Sequence, residues 1–469
     1  MAEEEFPTEG EVFDVAIIGG GVVGCATARR FALAGARVVL IEKGSDILSG
    51  ASKANSAILH TGFDAPPGSL ELELVKAGRE EYLQIHGAMN LPLVETGAYV
   101  CAWTGAEADA LEAIAQQGRD NGVSDLRLIS GRDARAAVPD LSDRLVAAVE
   151  VFGEHVIDPW SAPLGYLTQA MALGATVLRG AELVSGEFDG LWHLQTGRGP
   201  LVARSVINAA GLFGDEVDER LGFAREFEIR PRKGQFVVLD KAARRHVPKI
   251  LLPVPNEITK GIVVCPTAFG NVLVGPTAEE QQDRLRATVE EETLDALMAH
   301  AGTIVPALAG MPVTAVYAGL RPATEQKHYR VLARPEQRAI TLGGIRSTGL
   351  SAALGLAQYA VTLHAGMEAP VTGPVQAPPP VTMPNLAEPF ERDWQRPDHG
   401  EIVCHCELVT RREIEAALNS DLPPGDFGGL RRRTRAGMGR CQGFYCNARL
   451  AVLSQGRLAV PLDTAEEEA

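Results

Sequence analysis

The sequence has little of several features that mark whole classes of protein. Its 469 residues include no apolar run long enough to cross a bilayer, and the acidic first segment, MAEEEFPTEG, lacks the apolar core of a signal peptide. Basic residues number 44 against 60 acidic ones, and the formal net charge of -16 argues against binding to nucleic acid. We therefore expect a soluble, cytoplasmic protein with no transmembrane segment.

Cysteine is also scarce, and most of it lies near the C-terminus. Of seven cysteines, Cys404 and Cys406 occur in EIVCHCELVT, and Cys441 and Cys446 in GRCQGFYC. In a reducing cytosol such pairs more often serve metal or redox chemistry than structural disulfides. Four thiolates suit zinc or an iron–sulfur cluster, and the one-residue gap in the first pair is tighter than the usual zinc spacing, which favours iron–sulfur. The cysteines predicted to be structural are Cys25, Cys101 and Cys265.

Proline separates the cysteine pairs from the rest of the chain. Eight prolines lie between residues 370 and 400, a density that prevents regular structure, so this segment is predicted to be a linker. Residues 401–456 would then be a separate domain, small enough that a bound metal is needed to stabilise it. It contains a predicted short helix, EIEAALNS. Its basic run, LRRRTRAGMGRC, is predicted to be a solvated face, or alternatively to offset the charge of a cluster.

A strand, a helix and a second strand are predicted near the N-terminus, in DVAIIGGGVVGCATARRFALAGARVVLIEK. Gly19 allows a tight turn, Gly21 lets the backbone approach a pyrophosphate, and Gly24 lets the helix pack closely on the strand. The helix N-terminus would offer N–H groups and a positive dipole to that phosphate. Glu42 ends the second strand and would accept hydrogen bonds from a ribose. This single fingerprint favours bound FAD over a separate NAD site.

The body of the chain mixes patterns of two kinds. Helices are predicted in GSLELELVKAGREEYLQIHG, EADALEAIAQQGRDNG, TVEEETLDALMAHAG and the end of AITLGGIRSTGLSAALGLAQYAVTLHAG. Residues 175–210 are predicted to be a meander ending in an apolar strand, and strand-like runs between 226 and 330 indicate an antiparallel sheet.

Residues 12 to about 365 resemble the glycine oxidase/D-amino-acid oxidase-like FAD superfamily, especially its branch of bacterial glycerol-3-phosphate dehydrogenase and L-2-hydroxyglutarate dehydrogenase. The motifs are DVAIIGGGVVG, VVLIEK, GASKANSAILHTGFDAPPGSL, VINAAGLFGDEV, PRKGQFVVLD, GLRPAT and GIRSTGLSAAL, in the family's order. The resemblance implies an α/β and α+β protein. A discontinuous Rossmann-like FAD-binding domain would cover residues 12–90, 150–215 and 330–368, and an inserted antiparallel-sheet substrate domain residues 91–149 and 216–329.

The C-terminal segments VCHCELVT and RTRAGMGRCQGFYC resemble the bacterioferritin-associated-ferredoxin-like [2Fe–2S] domain. The free-standing ferredoxin spaces its last two cysteines more closely, and the longer gap here is like that of the domain appended to glycerol-3-phosphate dehydrogenase-like flavoproteins. The resemblance implies that Cys404, Cys406, Cys441 and Cys446 ligate one [2Fe–2S] cluster.

The resemblance also implies roles around the flavin. His60 would lie near the flavin ring and act as the base that takes the hydroxyl proton, the alternatives being a structural role or covalent attachment of the flavin. His155, in GEHVIDP, is a weaker candidate for this base. The residues expected to bind FAD are Gly19, Gly21, Gly24, Glu42, Lys43, Ser52, Lys53, Asn55, Val184, Ala210, Gly211, Gly349 and Leu350.

Three cations are candidates to hold the substrate. Arg321 in GLRPAT and Arg346 in GIRSTGL would bind its anionic group, because the planar guanidinium matches carboxylate or phosphate. Lys260, in ITKGIVVCPT, is the third. The helix that begins in STGLSAAL would direct its positive end at the flavin and stabilise the reduced, anionic form.

These residues and the resemblance predict an FAD-dependent dehydrogenase of a small anionic alcohol, with sn-glycerol 3-phosphate as the first candidate and dihydroxyacetone phosphate as its product. Hydride would go to flavin N5, and electrons would leave through the cluster to an acceptor protein or a quinone. Peripheral membrane contact and association with other redox subunits stay open. The alternatives are an L-2-hydroxyglutarate dehydrogenase or oxidase, an amine or amino-acid oxidase, and a non-catalytic electron-transfer subunit.

Overall fold

The computed structural model describes residues 6–8, 10–255, 261–367 and 373–462. In chain order its strands are β1 (Val12–Ile18), β2 (Val38–Ile41), β3 (Ile58–Leu59), β4 (Leu93–Val94), β5 (Ala98–Ala102), β6 (Leu126–Ser130), β7 (Ala147–Val151), β8 (His155–Ile157), β9 (Thr176–Leu178), β10 (Leu183–Phe188), β11 (Trp192–Thr196), β12 (Gly199–Asn208), β13 (Arg232–Leu239), β14 (Ile250–Pro253), β15 (Val263–Pro266), β16 (Val272–Gly275), β17 (Glu279–Glu280), β18 (Val313–Arg321), β19 (Arg330–Arg334), β20 (Ala339–Gly343), β21 (Ile402–Cys404) and β22 (Val409–Thr410). Its α-helices are α1 (Val22–Leu33), α2 (Leu70–Ile85), α3 (Gly105–Asp120), α4 (Gly131–Ala137), α5 (Ser161–Ala172), α6 (Gly214–Arg220), α7 (Glu291–Ile304), α8 (Gly349–Ala365), α9 (Arg411–Leu418), α10 (Phe427–Thr434) and α11 (Asn447–Ser454). Within these ranges, no helix combines the length and apolarity of a membrane span.

The first large sheet is built around the N-terminal strand. Its order is β10-β11-β12-β1-β2-β9, with β20 beside β12 and β19 beside β20. Strand β1 pairs in parallel with β2 and β12, whereas β10, β11 and β12 form an antiparallel meander. Strands β1 and β2 are buried on both faces, against α1, α5 and α8 on one side and against α6 on the other, which explains why they are apolar almost throughout. The predicted strand–helix–strand unit and meander are confirmed.

The second large sheet has the order β17-β13-β16-β15-β14-β5-β7-β6, with β18 on the other side of β13. Its neighbours are antiparallel, as predicted, except that β5 and β14 pair in parallel. These two strands come from chain segments separated by a passage through the first sheet, so no hairpin constrains their direction. Strand β7 ends at Val151, so the domain boundary placed between residues 149 and 150 falls inside a strand. The other domain limits stay predictions.

The proline-rich segment, residues 373–400, is packed against the protein, and we call it the strap. As predicted, it contains no α-helix or β-strand. The Val375 N–H donates to the Leu33 carbonyl at the end of α1, and the Met383 N–H donates to the Met89 carbonyl beyond α2, both at 2.9 Å. Leu386 is buried in the core beneath the second sheet. The strap therefore fixes the path of the chain instead of acting as a free tether.

The C-terminal domain is a hairpin, β21–β22, followed by three short helices. The predicted helix EIEAALNS is confirmed as α9, which begins with a capping box formed by Thr410 and Glu413. Helix α10 lies in the basic run, for which no helix was predicted. The core of the domain contains Val409, Ile414 and Leu450.

The basic run of this domain is buried, so the prediction of a solvated face is wrong. Arg432 and Arg433 are 6% and 8% exposed, because they pack against the loop that follows β2. Arg433 donates to the two carboxylate oxygens of Asp46 at 2.6 and 3.0 Å. Although burial disfavours the charged carboxylate, Arg433, Arg432 and Arg179 together lower the pKa of Asp46. This ion pair joins the C-terminal domain to the first sheet.

Replacing Asp46 with asparagine should loosen the C-terminal domain. Removing one partner of a buried ion pair leaves the other uncompensated, which costs about 3–5 kcal/mol. We expect a lower unfolding temperature and faster proteolysis within the strap. The control is Glu401→Gln, which breaks the exposed pair between Glu401 and Arg449 and should leave the unfolding temperature nearly unchanged. Equal behaviour of the two variants would contradict the docking role of Asp46.

Candidate active site

One large cavity, of about 680 Å³, is lined by residues of both large sheets. The predicted site residues that line it are Gly19, Gly21, Glu42, Lys43, Ser52, Lys53, Asn55, His60, Ala210, Gly211, Arg321, Arg346, Gly349 and Leu350. The structure thus brings together residues from separate motifs along the chain. Gly24 and Val184 do not line the cavity, and Lys260 lies outside the described residues.

The glycine-rich turn between β1 and α1 forms one end of the cavity. Gly19 has a φ of +108°, and Gly24 is so close to it that a Cβ there would lie 1.9 Å from the Gly19 carbonyl oxygen. Gly21 differs, because a Cβ would meet only the Ser52 hydroxyl, at 3.3 Å. That hydroxyl accepts the Val22 N–H at 3.0 Å. Gly24 therefore serves helix–strand packing, whereas Gly21 leaves space at the helix N-terminus for a phosphate.

Glu42 is held in place at the end of β2 by backbone donors. Its two carboxylate oxygens accept the N–H groups of Gly20 at 2.6 Å and Gly44 at 2.7 Å. Burial raises the pKa of Glu42, and the two N–H donors oppose that shift. Each oxygen has a second lone pair that can accept from a ribose hydroxyl. Lys43, next in the chain, lies over the ring of Phe213, 3.2 Å from its centroid.

Val184 does not line the cavity, and its role in binding FAD stays a prediction. Its side chain is 56% exposed, whereas its neighbour Leu183 is buried and lines the cavity. Successive side chains of a strand face opposite sides, so an error of one residue exchanges the buried and exposed faces. The bulge between Leu183 and Ser185 adds to the difficulty of assigning this register from the sequence.

His60 lines the cavity and is paired with a carboxylate that the sequence did not reveal. It follows β3, where Leu59 lies opposite His155 of β8, and this register brings Glu154 against the His60 ring. The Nδ1 atom of His60 is 2.9 Å from Glu154 Oε2. His155, the weaker candidate base, is buried outside the cavity, and burial lowers its pKa. In the motif GEHVIDP, the residue that contacts His60 is therefore Glu154, the neighbour of His155.

Arginines converge at the other end of the cavity. Strands β13 and β18 pair so that Arg232 lies directly opposite Arg321, and Arg346 follows β20 nearby. Like charges opposite each other on neighbouring strands are destabilising, so this arrangement serves something other than stability. Arg232 pairs with Glu280. It was not predicted, although the quoted motif PRKGQFVVLD contains it.

Arg321 and Arg346 have no carboxylate partner among the described residues. Arg321 donates to the Thr277 carbonyl at 3.2 Å, and the buried Nε of Arg346 has no acceptor. Burial, together with the charges of Arg232 and Arg346, lowers the pKa of Arg321 to about 10. A buried guanidinium without a counter-charge is costly, and an anion bound between the arginines would relieve that cost.

The four C-terminal cysteines lie in two contacting pairs. The sulfur of Cys406 contacts that of Cys441, and the sulfur of Cys446 contacts that of Cys404. Within the described ranges, no three His, Cys, Asp or Glu side chains converge as ligands of one metal ion. Cys406 also interacts with Cys404, and Cys446 with Cys441, so all four thiols lie near one another, as the ligands of zinc or of an iron–sulfur cluster must.

Comparison with known families identifies the larger part of the chain. Residues 14–363 match DAO, the FAD dependent oxidoreductase family. The protein is an FAD-dependent oxidoreductase of the DAO family. Residues 402–453 of this oxidoreductase match the BFD-like [2Fe-2S] binding domain. Its cofactors are therefore FAD and a [2Fe–2S] cluster, and the resemblances seen in the sequence are confirmed.

Individual relatives of this oxidoreductase agree with the family match. A glycerol 3-phosphate dehydrogenase of Caloramator mitchellensis is 30% identical over 97% of both chains. One subunit of the anaerobic glycerol-3-phosphate dehydrogenase of Escherichia coli K12 is 26% identical over 94% of this chain and 88% of its own. The structure of L-alpha-glycerophosphate oxidase from Mycoplasma pneumoniae with FAD bound aligns with a TM-score of 0.73 and 26% identity, over 80% of this chain and all of that one.

The surroundings of the cysteine pairs fit the cluster. The backbone N–H of Tyr445 lowers the pKa of the Cys441 thiol, with help from two neighbouring N–H groups, and so favours the thiolate that binds iron. Arg431 is close enough to Cys446 and Cys404 to interact with their charge. The alternative proposed for the basic run, that it offsets the cluster's negative charge, is therefore supported for this arginine. The cysteines predicted to be structural, Cys25, Cys101 and Cys265, are all buried.

Anaerobically purified oxidoreductase should contain iron and acid-labile sulfide in equal amounts. We expect Cys441→Ser to lose both, because a serine hydroxyl is a poorer ligand than a thiolate for iron in such clusters. Cys101→Ala, which alters a buried thiol in β5, should keep both and serves as the control. Elemental and sulfide analysis makes the measurement. One zinc per chain without sulfide would exclude the cluster while retaining a metal site.

Proposed function

We propose that this oxidoreductase converts sn-glycerol 3-phosphate to dihydroxyacetone phosphate. The observation that carries the proposal is the set of arginines at one end of the cavity, with Arg232 opposite Arg321 and the unpaired Nε of Arg346 beside them. A phosphate monoester carries up to two negative charges and several acceptor oxygens. It therefore matches several guanidinium groups better than a single carboxylate does.

The relatives support the same substrate. The Caloramator protein, which spans this chain almost from end to end, is named a glycerol 3-phosphate dehydrogenase. The Escherichia coli relative carries the same activity in its name. The Caloramator alignment covers 97% of this chain, so it extends over the body, the strap and the C-terminal domain.

Residues around the cavity would have separate roles in binding the substrate and in taking its proton. Arg321 and Arg346 bind the phosphate and thereby orient the alcohol, and His60 takes the hydroxyl proton. The N-terminus of α8, with Gly349 and Leu350 at the cavity, contributes a positive dipole end. Bound FAD supplies the acceptor of two electrons and a hydrogen. Lys260 stays a candidate third cation.

The electrons would leave through the cluster to an acceptor outside this chain. The name of the Escherichia coli relative makes it one subunit of an enzyme, so that protein belongs to a larger assembly. We propose by analogy that this oxidoreductase works with other redox subunits, which pass the electrons to an acceptor protein or a quinone.

Anaerobic bleaching of the flavin tests the substrate. Glycerol 3-phosphate should bleach the yellow protein rapidly, whereas L-2-hydroxyglutarate and amino acids should not. Because the phosphate is expected to hold the substrate in place, glycerol at the same concentration should not bleach the flavin. Bleaching by an amino acid or by L-2-hydroxyglutarate alone would replace the proposed substrate, and bleaching by none of these compounds would favour the non-catalytic alternative.

A further inference from the structure

Glu154 is a fully buried carboxylate that contacts His60. It lies in the turn between β7 and β8, with one oxygen 2.9 Å from Nδ1 of His60. The other oxygen accepts the backbone N–H and the hydroxyl of Thr61, at 2.6 and 2.9 Å. A buried carboxylate is tolerated when it is paired and hydrogen-bonded, and both oxygens of Glu154 meet that condition.

Three titratable groups are packed around this carboxylate besides His60. Arg79 of α2 donates to the Gly153 carbonyl at 2.9 Å and interacts electrostatically with Glu154. His155 and Cys265 are the other titratable neighbours. Burial lowers the pKa of His155 and raises that of Cys265, so both are neutral at neutral pH. Arg79 is thus the cation that interacts with Glu154 among these neighbours.

The Glu154 carboxylate decides which ring nitrogen of His60 carries the proton, because one of its oxygens contacts Nδ1 and the other already accepts two donors of Thr61. A carboxylate only accepts, so Nδ1 must be the N–H donor, and the lone pair lies on Nε2. We propose that Glu154 is a positioning residue that fixes His60 in this tautomer and stabilises the imidazolium formed when Nε2 takes the substrate's hydroxyl proton. The inference rests on the proposed function, in which His60 is the base.

Every proton and electron in this step is accounted for. The O–H bond of the alcohol breaks, and an N–H bond forms at Nε2 of His60. The C–H hydrogen leaves with its electron pair to FAD, and the carbon–oxygen bond becomes a carbonyl. The positive charge that His60 gains faces the negative charge of Glu154, so the buried pair is charge-balanced after the transfer.

A simpler role for Glu154 would be to hold the turn at Thr61, and two variants separate the roles. In Glu154→Gln, the amide oxygen can still accept from Thr61, but the amide nitrogen can only donate to Nδ1 of His60. The ring proton must then move to Nε2, which can no longer act as a base. Thr61→Val removes the hydroxyl contact with Glu154 and leaves the contact with His60, so it is the matched control.

The test is anaerobic, single-turnover flavin reduction by glycerol 3-phosphate, followed from about pH 6 to about pH 9. Glu154→Gln should lower the limiting rate by about 100-fold or more, the range of general-base contributions, with an unchanged half-saturating concentration. The rising limb of its pH–rate profile should shift to lower pH, because a neutral amide does not stabilise the imidazolium as a carboxylate does. Thr61→Val should keep the wild-type limiting rate and the wild-type pH–rate profile. Both variants should retain bound FAD.

A second measurement needs no change at Glu154. In wild-type protein labelled with ¹⁵N-histidine, the His60 signals, assigned with His60→Asn, should show Nδ1 protonated and Nε2 unprotonated at the alkaline end of this pH range. Protonated Nε2 under these conditions, or a wild-type rate and pH limb in Glu154→Gln, would overturn the inference. If glycerol 3-phosphate fails to reduce even the wild-type flavin, the proposed function is wrong, and the tautomer measurement still decides the role of Glu154.

Discussion

Replacing Arg321 with leucine should lower kcat/KM for glycerol 3-phosphate by tens- to thousands-fold. The loss of one charge-assisted contact to a buried anion costs about 2–5 kcal/mol, and each ~1.4 kcal/mol is a factor of ten. Arg346→Leu should behave alike, because its buried Nε has no acceptor within the described part of the chain. The FAD content should not change, since Arg321 ends β18 and Arg346 follows β20, and neither belongs to the glycine-rich turn between β1 and α1.

The same substitution should leave the unliganded protein as stable as before, or more stable. Arg321 faces Arg232 across β13 and β18, and burial disfavours its charge, so leucine removes a repulsion. Arg225→Leu is the control, because Arg225 pairs with Glu219 on the surface and does not line the cavity. Flavin reduction at several substrate concentrations, with thermal unfolding alongside, gives both readouts. Unaltered concentration dependence in both arginine variants would reopen the amine and neutral-alcohol alternatives.

Replacing Gly21 with valine should give a folded but colourless protein. A Cβ at Gly21 meets only the Ser52 hydroxyl, at 3.3 Å, so the backbone can keep its path. The added methyl groups would occupy the space that a pyrophosphate needs at the N-terminus of α1. The ratio of flavin to protein absorbance measures the loss, and circular dichroism confirms the fold.

Gly24→Val should fail in a different way. A Cβ there would lie 1.9 Å from a backbone oxygen of Gly19, which cannot move without separating α1 from β1. We expect misfolding and poor yield in place of a stable apoprotein. A Gly21→Val protein with full flavin, or a Gly24→Val protein with wild-type stability, would show that the two glycines have been assigned the wrong roles.

The features that sequence analysis predicted well are those set by contiguous residues. Strand, glycine-rich turn and helix follow each other within a short segment, so Gly19, Gly21 and Glu42 come to one end of the cavity once that unit forms. The same holds for the cysteine pairs, whose members are separated by at most four residues.

The features that were missed depend on which strands or domains meet. The register of β3 and β8 brings Glu154 to His60, and the register of β13 and β18 brings Arg232 to Arg321. Neither register can be predicted from a local sequence pattern. The burial of Arg433 depends on Asp46, a residue 387 positions earlier. The sequence of a basic run does not show whether its side chains are solvated or paired with a carboxylate that is distant in the chain.

The ion pair between Arg433 and Asp46 bears on how fast electrons can pass inside the molecule. A carrier domain on a free tether must diffuse to its docking position in each cycle, so its rate falls as the solvent becomes more viscous. Here the C-terminal domain is held against the first sheet by buried charges and by the strap. Reduction of the cluster by the flavin should therefore proceed at the same speed in dilute buffer and in concentrated sucrose.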